Sequence, residues 1–509
     1  MQRREFNRLL AAGMGAGLLG QFHVAHGKLV DGNTQLTLPE AFDEIDHFHI
    51  THRLRDGAAF DFPKPSEQRD LVIVGGGLSG MITAHRLPDV DSLILEKESV
   101  VGGNSRRHKA NGIAYPLGAI TSQGAEAPFT SYFNELSVPF QKVEGVEIAY
   151  YVKGKRVLDP FGEGADELPF NAEVKKQFAQ LKQMLTGYLD EKNGIFFPRA
   201  SNIKEIRDLD KITLYQYFQQ KRYKAELVQF LDHLLSTRIG CDGQFVSAWM
   251  GLYILSRAVS DVYTLPGGHG AISEILERTL QVRENAEIRT GFTTLRVENK
   301  PNESVWISGL GDDGAIKTIE ARAAVMAVPK FYASRVIPDL EKDRKSLINK
   351  YQYNAYLVAQ VELSRVISDS FETINDGLFS RIMLRPDWLP NNRNSNGKSH
   401  LTVYIPFPGS DGRRTLYASD VKSYAQQILK DIETVFPGGA AAVEKMTLHR
   451  WGHPMIQPTP GIDAEMEKLI APHGSTFFSH SDSSGITGLY SAVWAGMQAS
   501  NDVLLHLMD

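Results

Sequence analysis

The sequence predicts an α/β fold built on a parallel sheet. A short apolar run, Leu71-Val72-Ile73-Val74, has the length and β-branched content of a strand buried on both faces. Gly75-Gly76-Gly77-Leu78-Ser79-Gly80 follows at once and opens a helical stretch, Met81 to Leu87. A second apolar run, Ser92-Leu93-Ile94-Leu95, ends on an acid, Glu96.

Each part has a physical reason to be there. Gly75 permits the tight turn after the first strand. Gly77 lets backbone approach a pyrophosphate, and Gly80 lets the helix pack closely on the strand. The N-terminus of the helix offers unpaired N–H groups and a positive partial charge to phosphates. Glu96 stands where a carboxylate accepts ribose hydroxyls, and no arginine takes its place to favour a 2′-phosphate. A second pair, Gly102-Gly103, follows so soon after Glu96 that it predicts a second close approach of backbone to the same ligand.

Further along, the middle of the chain is helical. Val174, Phe178, Leu181 and Leu185 fall at helical spacing, as do Leu227, Phe230, Leu231, Leu234 and Leu235. Phe245 to Val259 is apolar on most sides, which predicts a buried helix. Alternation and β-branching predict strands around Ala355 to Leu363 and Leu401 to Ile405. Asp420 to Phe436 reads as a helix stopped by Pro437-Gly438-Gly439. Asn391 to Ser399 is a polar loop.

Composition removes other classes. The chain has 509 residues, of which 42% are hydrophobic and 23% charged, as in ordinary globular proteins. The formal net charge of -5 is opposite in sign to a nucleic-acid binder's. One cysteine, Cys241, excludes an intramolecular disulfide and a cysteine zinc site. His47, His49 and His52 sit close together in a polar stretch that reads as a solvated linker, and no metal is expected.

The first residues carry an address. Arg3-Arg4, Phe6 two places on, and a mild apolar run from Leu9 to Gly20 describe a twin-arginine export signal. The run is shorter than the roughly 20 residues that span a bilayer. Ala25-His26-Gly27 offers a cleavage site before Lys28. The expectation is a periplasmic protein, exported folded by the twin-arginine translocase.

Glu96, five residues and then Gly102-Gly103 resemble the flavin amine oxidase superfamily, in which the acid and the glycine pair keep that register. The superfamily usually follows the pair with an arginine; here Asn104 stands there, with Arg106 and Arg107 nearby. Leu265-Pro266-Gly267-Gly268, the strand Ile288 to Val297, and Ala324-Val325-Met326-Ala327-Val328-Pro329 match further superfamily stretches in order. So do Phe477 to Asp482 and Ser491-Ala492-Val493-Trp494-Ala495-Gly496, with Ser481-Asp482 replacing the usual Gly-Asp or Gly-Glu. A softer similarity points to a bacterial spermidine dehydrogenase-like branch. It rests on Asn104-Ser105, Ala114 to Ala119, Ser247-Ala248-Trp249, Arg450 to Pro454 and His480 to Gly485.

The resemblance implies a glutathione reductase-type, Rossmann-like FAD-binding domain with a discontinuous α+β substrate domain. The implied boundaries are a signal at 1–27, a linker at 28–69, FAD-binding segments at 70–123, 262–333 and 445–509, and substrate segments at 124–261 and 334–444. The implied cofactor is non-covalent FAD, since Cys241 is far from the cysteine of covalent relatives. Expected cofactor contacts are Gly75, Gly77, Leu78, Ser79, Gly80, Glu96, Lys97, Gly102, Gly103, Asn104, Ser105, Gly118 and Ala119. Phe292 is expected beside adenine through its backbone. Asp482 is expected on the ribityl or pyrophosphate side, with Ala492 and Val493 presenting helix N–H groups to the flavin.

Trp451, His453 and Tyr490 are the expected side chains near the ring. The aromatic pair and water-holding lysine of monoamine oxidases do not carry over. Alignment puts His453, Pro454 and Gly488 at the cysteine and aromatic positions, and Lys330 and Lys350 fall out of register. The implied activity is oxidation of an amine, including a polyamine, by hydride transfer to flavin. A desaturase or protoporphyrinogen-oxidase-like flavoprotein, and a non-catalytic flavin-binding protein, are the alternatives. The electron acceptor is left open between oxygen, a quinone and a cytochrome.

Overall fold

A computed structural model describes residues 38–45, 48–123, 129–189, 204–394 and 396–508. The export signal and His47 lie outside them.

Two sheets organise these residues. The first has seven strands. Its centre is Glu67–Val74, flanked in parallel by Ser92–Leu95 and by Ile316–Met326. Leu71, Val72, Ile73 and Val74 are all buried, the double-sided burial that a non-alternating apolar run requires. Ala286–Arg289 extends the sheet in parallel beyond Ser92–Leu95. Val305–Leu310 and Thr293–Asn299 continue it antiparallel on the other side, and Thr476–Phe478 pairs with Ile316–Met326. The helices Leu78–His85 and Leu489–Met508 pack together on this sheet. At their contact a Cβ on Gly496 would lie 2.8 Å from the Ile82 side chain and from the Ser79 carbonyl oxygen.

The second sheet has eight strands. Tyr353–Leu363 lies between Ser399–Phe407 and Val443–Ile456, antiparallel to both. Ile382–Leu384, Glu372–Asn375, Ile148–Val152 and Lys155–Leu158 complete one side. Alternation gives this sheet two different faces. Ala355, Leu357, Ala359, Val361, Val403, Ile405, Met383 and Leu448 pack together on one, with Ile428 and Ile432 of the helix Val421–Val435. Tyr356, Val358, Ile382, Tyr404 and Trp451 point the other way and join the larger core. The register sets Tyr356 opposite Trp451, and Tyr404 opposite both Val358 and Ile382.

Two expectations are corrected by this arrangement. The stretch that reads as a linker contains a strand, Glu40–Ile45, and a helix, His49–Arg55. The strand runs parallel to Val443–Ile456, and Asp43 holds Arg450 through two 2.8 Å contacts. The segment from 445 onward is expected among the FAD-binding strands. Its first strand, Val443–Ile456, is instead hydrogen-bonded inside the second sheet, because its inward residues Met446 and Leu448 match the apolar face of Tyr353–Leu363. Among the described residues no helix is long and apolar enough to cross a membrane.

Candidate functional site

A cavity of about 1320 Å³ opens beside the glycine-rich turn and runs on to the aromatic face of the second sheet. Small-molecule pockets usually occupy about 300–1,000 Å³, so this one has room for a long ligand and a second molecule. It is lined by Gly75, Gly77, Leu78, Ser79, Glu96, Lys97, Gly102, Gly103, Asn104, Ser105, Gly118, Ala119 and Phe292, and by Trp451, His453, Tyr490 and Ala492. Gly80, Asp482 and Val493 are the expected site residues that do not line it.

The glycine turn is built to receive backbone-deep contact. Gly75 has φ +112°, and a Cβ there would lie 2.5 Å from the Ala327 carbonyl oxygen. Gly80 faces inward: its Cβ would sit 2.1 Å from the Gly75 carbonyl oxygen. This is why it is absent from the cavity wall and still indispensable to helix–strand packing. Gly77 is the opposite case, since a Cβ there meets nothing within 4 Å. Gly77 caps the helix without a side-chain hydrogen bond, leaving the N–H groups of Leu78, Ser79 and Gly80 uncapped. The Ser79 hydroxyl is committed to the Ser479 carbonyl, so Ser79 offers only its backbone.

Glu96 is buried at its strand end and takes N–H bonds from Gly76 at 2.8 Å and Glu98 at 2.9 Å. Burial raises the pKa of its carboxyl, partly offset by those two bonds. Gly102 and Gly103 both have positive φ, and a Cβ on Gly103 would approach the Gly77 Cα at 3.3 Å. The two glycine motifs are therefore facing halves of one cradle. Lys97 pairs with Glu98. Asn104 donates to the Pro454 carbonyl at 2.9 Å, and the Ser105 carbonyl accepts from Ser273 at 2.6 Å. Ala119 N–H reaches the Asn104 carbonyl at 2.9 Å, and the Gly118 carbonyl accepts from Tyr404 at 2.8 Å. The Phe292 N–H is spent on the Glu96 carbonyl at 2.9 Å, leaving the Phe292 carbonyl as its backbone contact.

The C-terminal motif departs from expectation. Asp482 is fully buried behind the cavity wall and accepts from Lys330 Nζ at 2.7 Å, Lys330 N–H at 3.0 Å and the Tyr353 hydroxyl at 2.5 Å. Burial by itself would raise its pKa, but Lys330 and then His480 outweigh that and hold the carboxyl well below the usual range. Its neighbours His480 and Ser481 line the cavity instead. In the final helix, Ala492 N–H is already bonded to the Gly488 carbonyl at 3.1 Å. Val493 is buried in the core. This end of the cavity is lined by Gly488, just ahead of the helix, and by Leu489, Tyr490 and Ala492 within it.

On the other side, Trp451 is fixed by a 2.8 Å bond from its indole N–H to the Leu117 carbonyl, with the Arg106 guanidinium 4.8 Å from its ring. Tyr356, Val358, Ile382 and Tyr404 line the cavity on this side, as do Arg238 and Glu372, which form an ion pair. Tyr490 stacks on Phe129 at 5.4 Å. His453 packs on Phe331 at 4.6 Å, and its pKa is pushed down to about 3 by burial, then by Arg413, Arg335 and His52. It is a neutral imidazole at neutral pH. Phe48, His52, Arg55, Arg335, Arg413 and Arg414 also line the cavity; Arg55 is paired with Asp56 and Arg414 with Asp411, so the positive charge felt at His453 comes from Arg413 and Arg335. Cys241 is buried, its thiol pushed up to about 12 by burial, and it is not part of the lining.

The sequence names Lys330 and His480 without giving them a role, and it does not single out Tyr353, Arg238, Glu372, Tyr356 or Tyr404.

A family model described as flavin containing amine oxidoreductase matches residues 78–504. Oxidoreductase PigB of Serratia sp. (strain ATCC 39006) is 25% identical over 530 aligned residues, covering 89% of this chain and 79% of that protein. The fold is similar to cyclohexylamine oxidase from Brevibacterium oxydans IH-35A, with TM-score 0.68 and 19% identity over 87% of this chain and all of that one. It is similar also to a putrescine oxidase solved with putrescine bound, with TM-score 0.68 and 16% identity over 86% and 99% of the two chains.

Proposed function

Because the chain belongs to the flavin-containing amine oxidoreductase family, we propose that it is an exported enzyme oxidising a small-molecule amine with an apolar body. FAD is its cofactor, and the residues present fit it. Gly77 leaves open space where a side chain would intrude, Gly103 packs against it too closely for one, the helix at Leu78 has uncapped N–H groups for the pyrophosphate, and Glu96 is placed for a ribose. When bound, FAD supplies a two-electron acceptor for the hydride on the carbon next to the amine nitrogen.

One observation carries the reading: the glycine cradle and the aromatic wall belong to the same cavity. The protein's own groups then prepare the substrate. Trp451, Tyr356 and Tyr404 give flat apolar surfaces held by hydrogen bonds, which orient a substrate and exclude water. The positive charges of Arg335 and Arg413 disfavour the ammonium form, and neutral His453 adds no further charge. A neutral amine is the form that can lose hydride. The acid–aromatic tunnel that would suit a polyamine is not favoured, because the carboxylate Glu372 of the lining is already paired with Arg238.

Anaerobic mixing of the yellow protein with a panel of amines tests this: at least one aliphatic or aryl amine should bleach the flavin band. If none does while a porphyrinogen or polyene substrate does, amine oxidation is wrong. Trp451→Ala should retain FAD and slow bleaching by about 10- to 100-fold, the cost of losing a positioning contact. Loss of FAD or unfolding in that variant would make Trp451 structural.

The export part of the proposal rests on Arg3-Arg4 and Phe6 ahead of the apolar run. Changing both arginines to lysine should leave folded, FAD-loaded protein in the cytoplasm. Normal arrival of that variant in the periplasm would refute the twin-arginine route.

A further inference from the structure

Two residues of the cavity lining form a charged pair that the oxidation itself does not use. Arg238 lies in the last turn of the helix Ala225–Ile239, and Glu372 begins the strand Glu372–Asn375. The guanidinium meets the carboxylate end-on, Nη1 to Oε1 and Nη2 to Oε2, each at 3.1 Å. Both residues line the cavity, yet their exposure is unequal: the Glu372 side chain is 1% exposed and that of Arg238 is 17% exposed. Glu372 is thus used up by its partner. Arg238 keeps its Nε–H and one hydrogen on each terminal nitrogen, and these have no other hydrogen-bond partner among the described residues.

Strand order measures how far this pair is from the cradle. Tyr404 touches the cradle through Gly118, and its strand is separated from that of Glu372 by Ile382–Leu384 alone. Glu372 pairs with Leu384 and Leu384 with Thr402, so Glu372 lies two strands across and two residues along from Tyr404, roughly 12 Å at about 4.8 Å per strand and about 3.4 Å per residue. Between the two lie the apolar surfaces of Tyr404 and Ile382.

We propose that Arg238, held in place by Glu372, is the subsite for a hydrogen-bond-accepting oxygen at the end of the substrate remote from its amine. This rests on reading the cavity as an amine-oxidising chamber. The pair is neutral overall, so it does not draw in a second ammonium group. Its exposed half consists only of donors, which an ether, hydroxyl or carbonyl oxygen satisfies and a hydrocarbon or ammonium does not. Arg238 is here a specificity residue, selecting oxygenated amines over diamines.

Three primary amines of equal chain length separate the possibilities: octylamine, 6-methoxyhexylamine and 1,7-diaminoheptane. Two readouts are used on the FAD-loaded protein, the ligand-induced rise in unfolding midpoint and the concentration dependence of anaerobic flavin bleaching. The ether should bind at least about tenfold tighter than octylamine, as expected where a buried donor gains its acceptor, with the diamine weakest. Removing both charges together, Arg238→Met with Glu372→Met, should abolish that preference while FAD content stays unchanged. Equal binding of ether and octylamine, preference for the diamine, or a preference that survives in the double variant would each overturn the proposal. Should the double variant fail to fold, the ranking on the unmodified protein decides alone. Failure of the amine-oxidation reading looks different: no bleaching by any amine, with the binding order still measurable from the unfolding midpoints.

Discussion

Gly77→Val is expected to yield folded protein that cannot hold FAD. A Cβ at Gly77 meets no protein atom within 4 Å, and its φ of -73° is open to any residue. The apoprotein should therefore fold with little change. The new methyls would instead occupy the space between the two glycine motifs, where the pyrophosphate must reach the uncapped N–H groups of Leu78 and Ser79. An overpacking cost of up to about 3 kcal/mol corresponds to an affinity loss of about a hundredfold. Gly80→Val is the control, because its Cβ would collide at 2.1 Å with the Gly75 carbonyl and disrupt folding itself. The ratio of flavin to protein absorbance, read beside a circular-dichroism melt, separates the two. A Gly77→Val protein as yellow as the parent would mean that the cradle does not hold the cofactor.

These two glycines also mark what the sequence makes legible. Their roles follow from spacing along a strand, turn and helix, all local, so both the fold class and the cofactor can be read from the chain alone. Pairings between distant segments cannot. The motif around Asp482 points to the cofactor, yet the partners of this carboxylate, Lys330 and Tyr353, are 152 and 129 residues away, and no local pattern announces them. The same holds for Arg238 and Glu372, separated by 134 residues. Val443–Ile456 has the length of a strand, but its own residues do not say which of two sheets receives it. Glu40–Ile45 reads as linker because half of its six residues are acidic, a composition tolerated on an edge strand but not typical of one. The aromatic chamber shows in the sequence only as two strands; the register brings Tyr356, Tyr404 and Trp451 onto one face.

Asp482→Asn is expected to lower stability by about 3–5 kcal/mol, since it leaves the ammonium of Lys330 buried without its counter-charge. Asp482→Ala should cost more, because Tyr353 O–H and Lys330 N–H then lose their acceptor as well. Neutralising the other side restores balance: Lys330→Met added to Asp482→Asn should recover a large part of the loss, a coupling that a double-mutant cycle reads directly. Acid has the same target. The folded-state pKa of Asp482 lies below its ordinary value of 3.8. The ion pair therefore contributes fully above that value and is lost as pH falls below it. The parent should consequently lose stability more steeply than Asp482→Asn in that range. All of this should be measurable on apoprotein by urea unfolding, because Asp482 does not line the cavity. If Asp482→Asn leaves apoprotein stability unchanged and weakens only FAD retention, the carboxylate is a cofactor ligand after all. The Lys330 pair would then form only when the cofactor is absent.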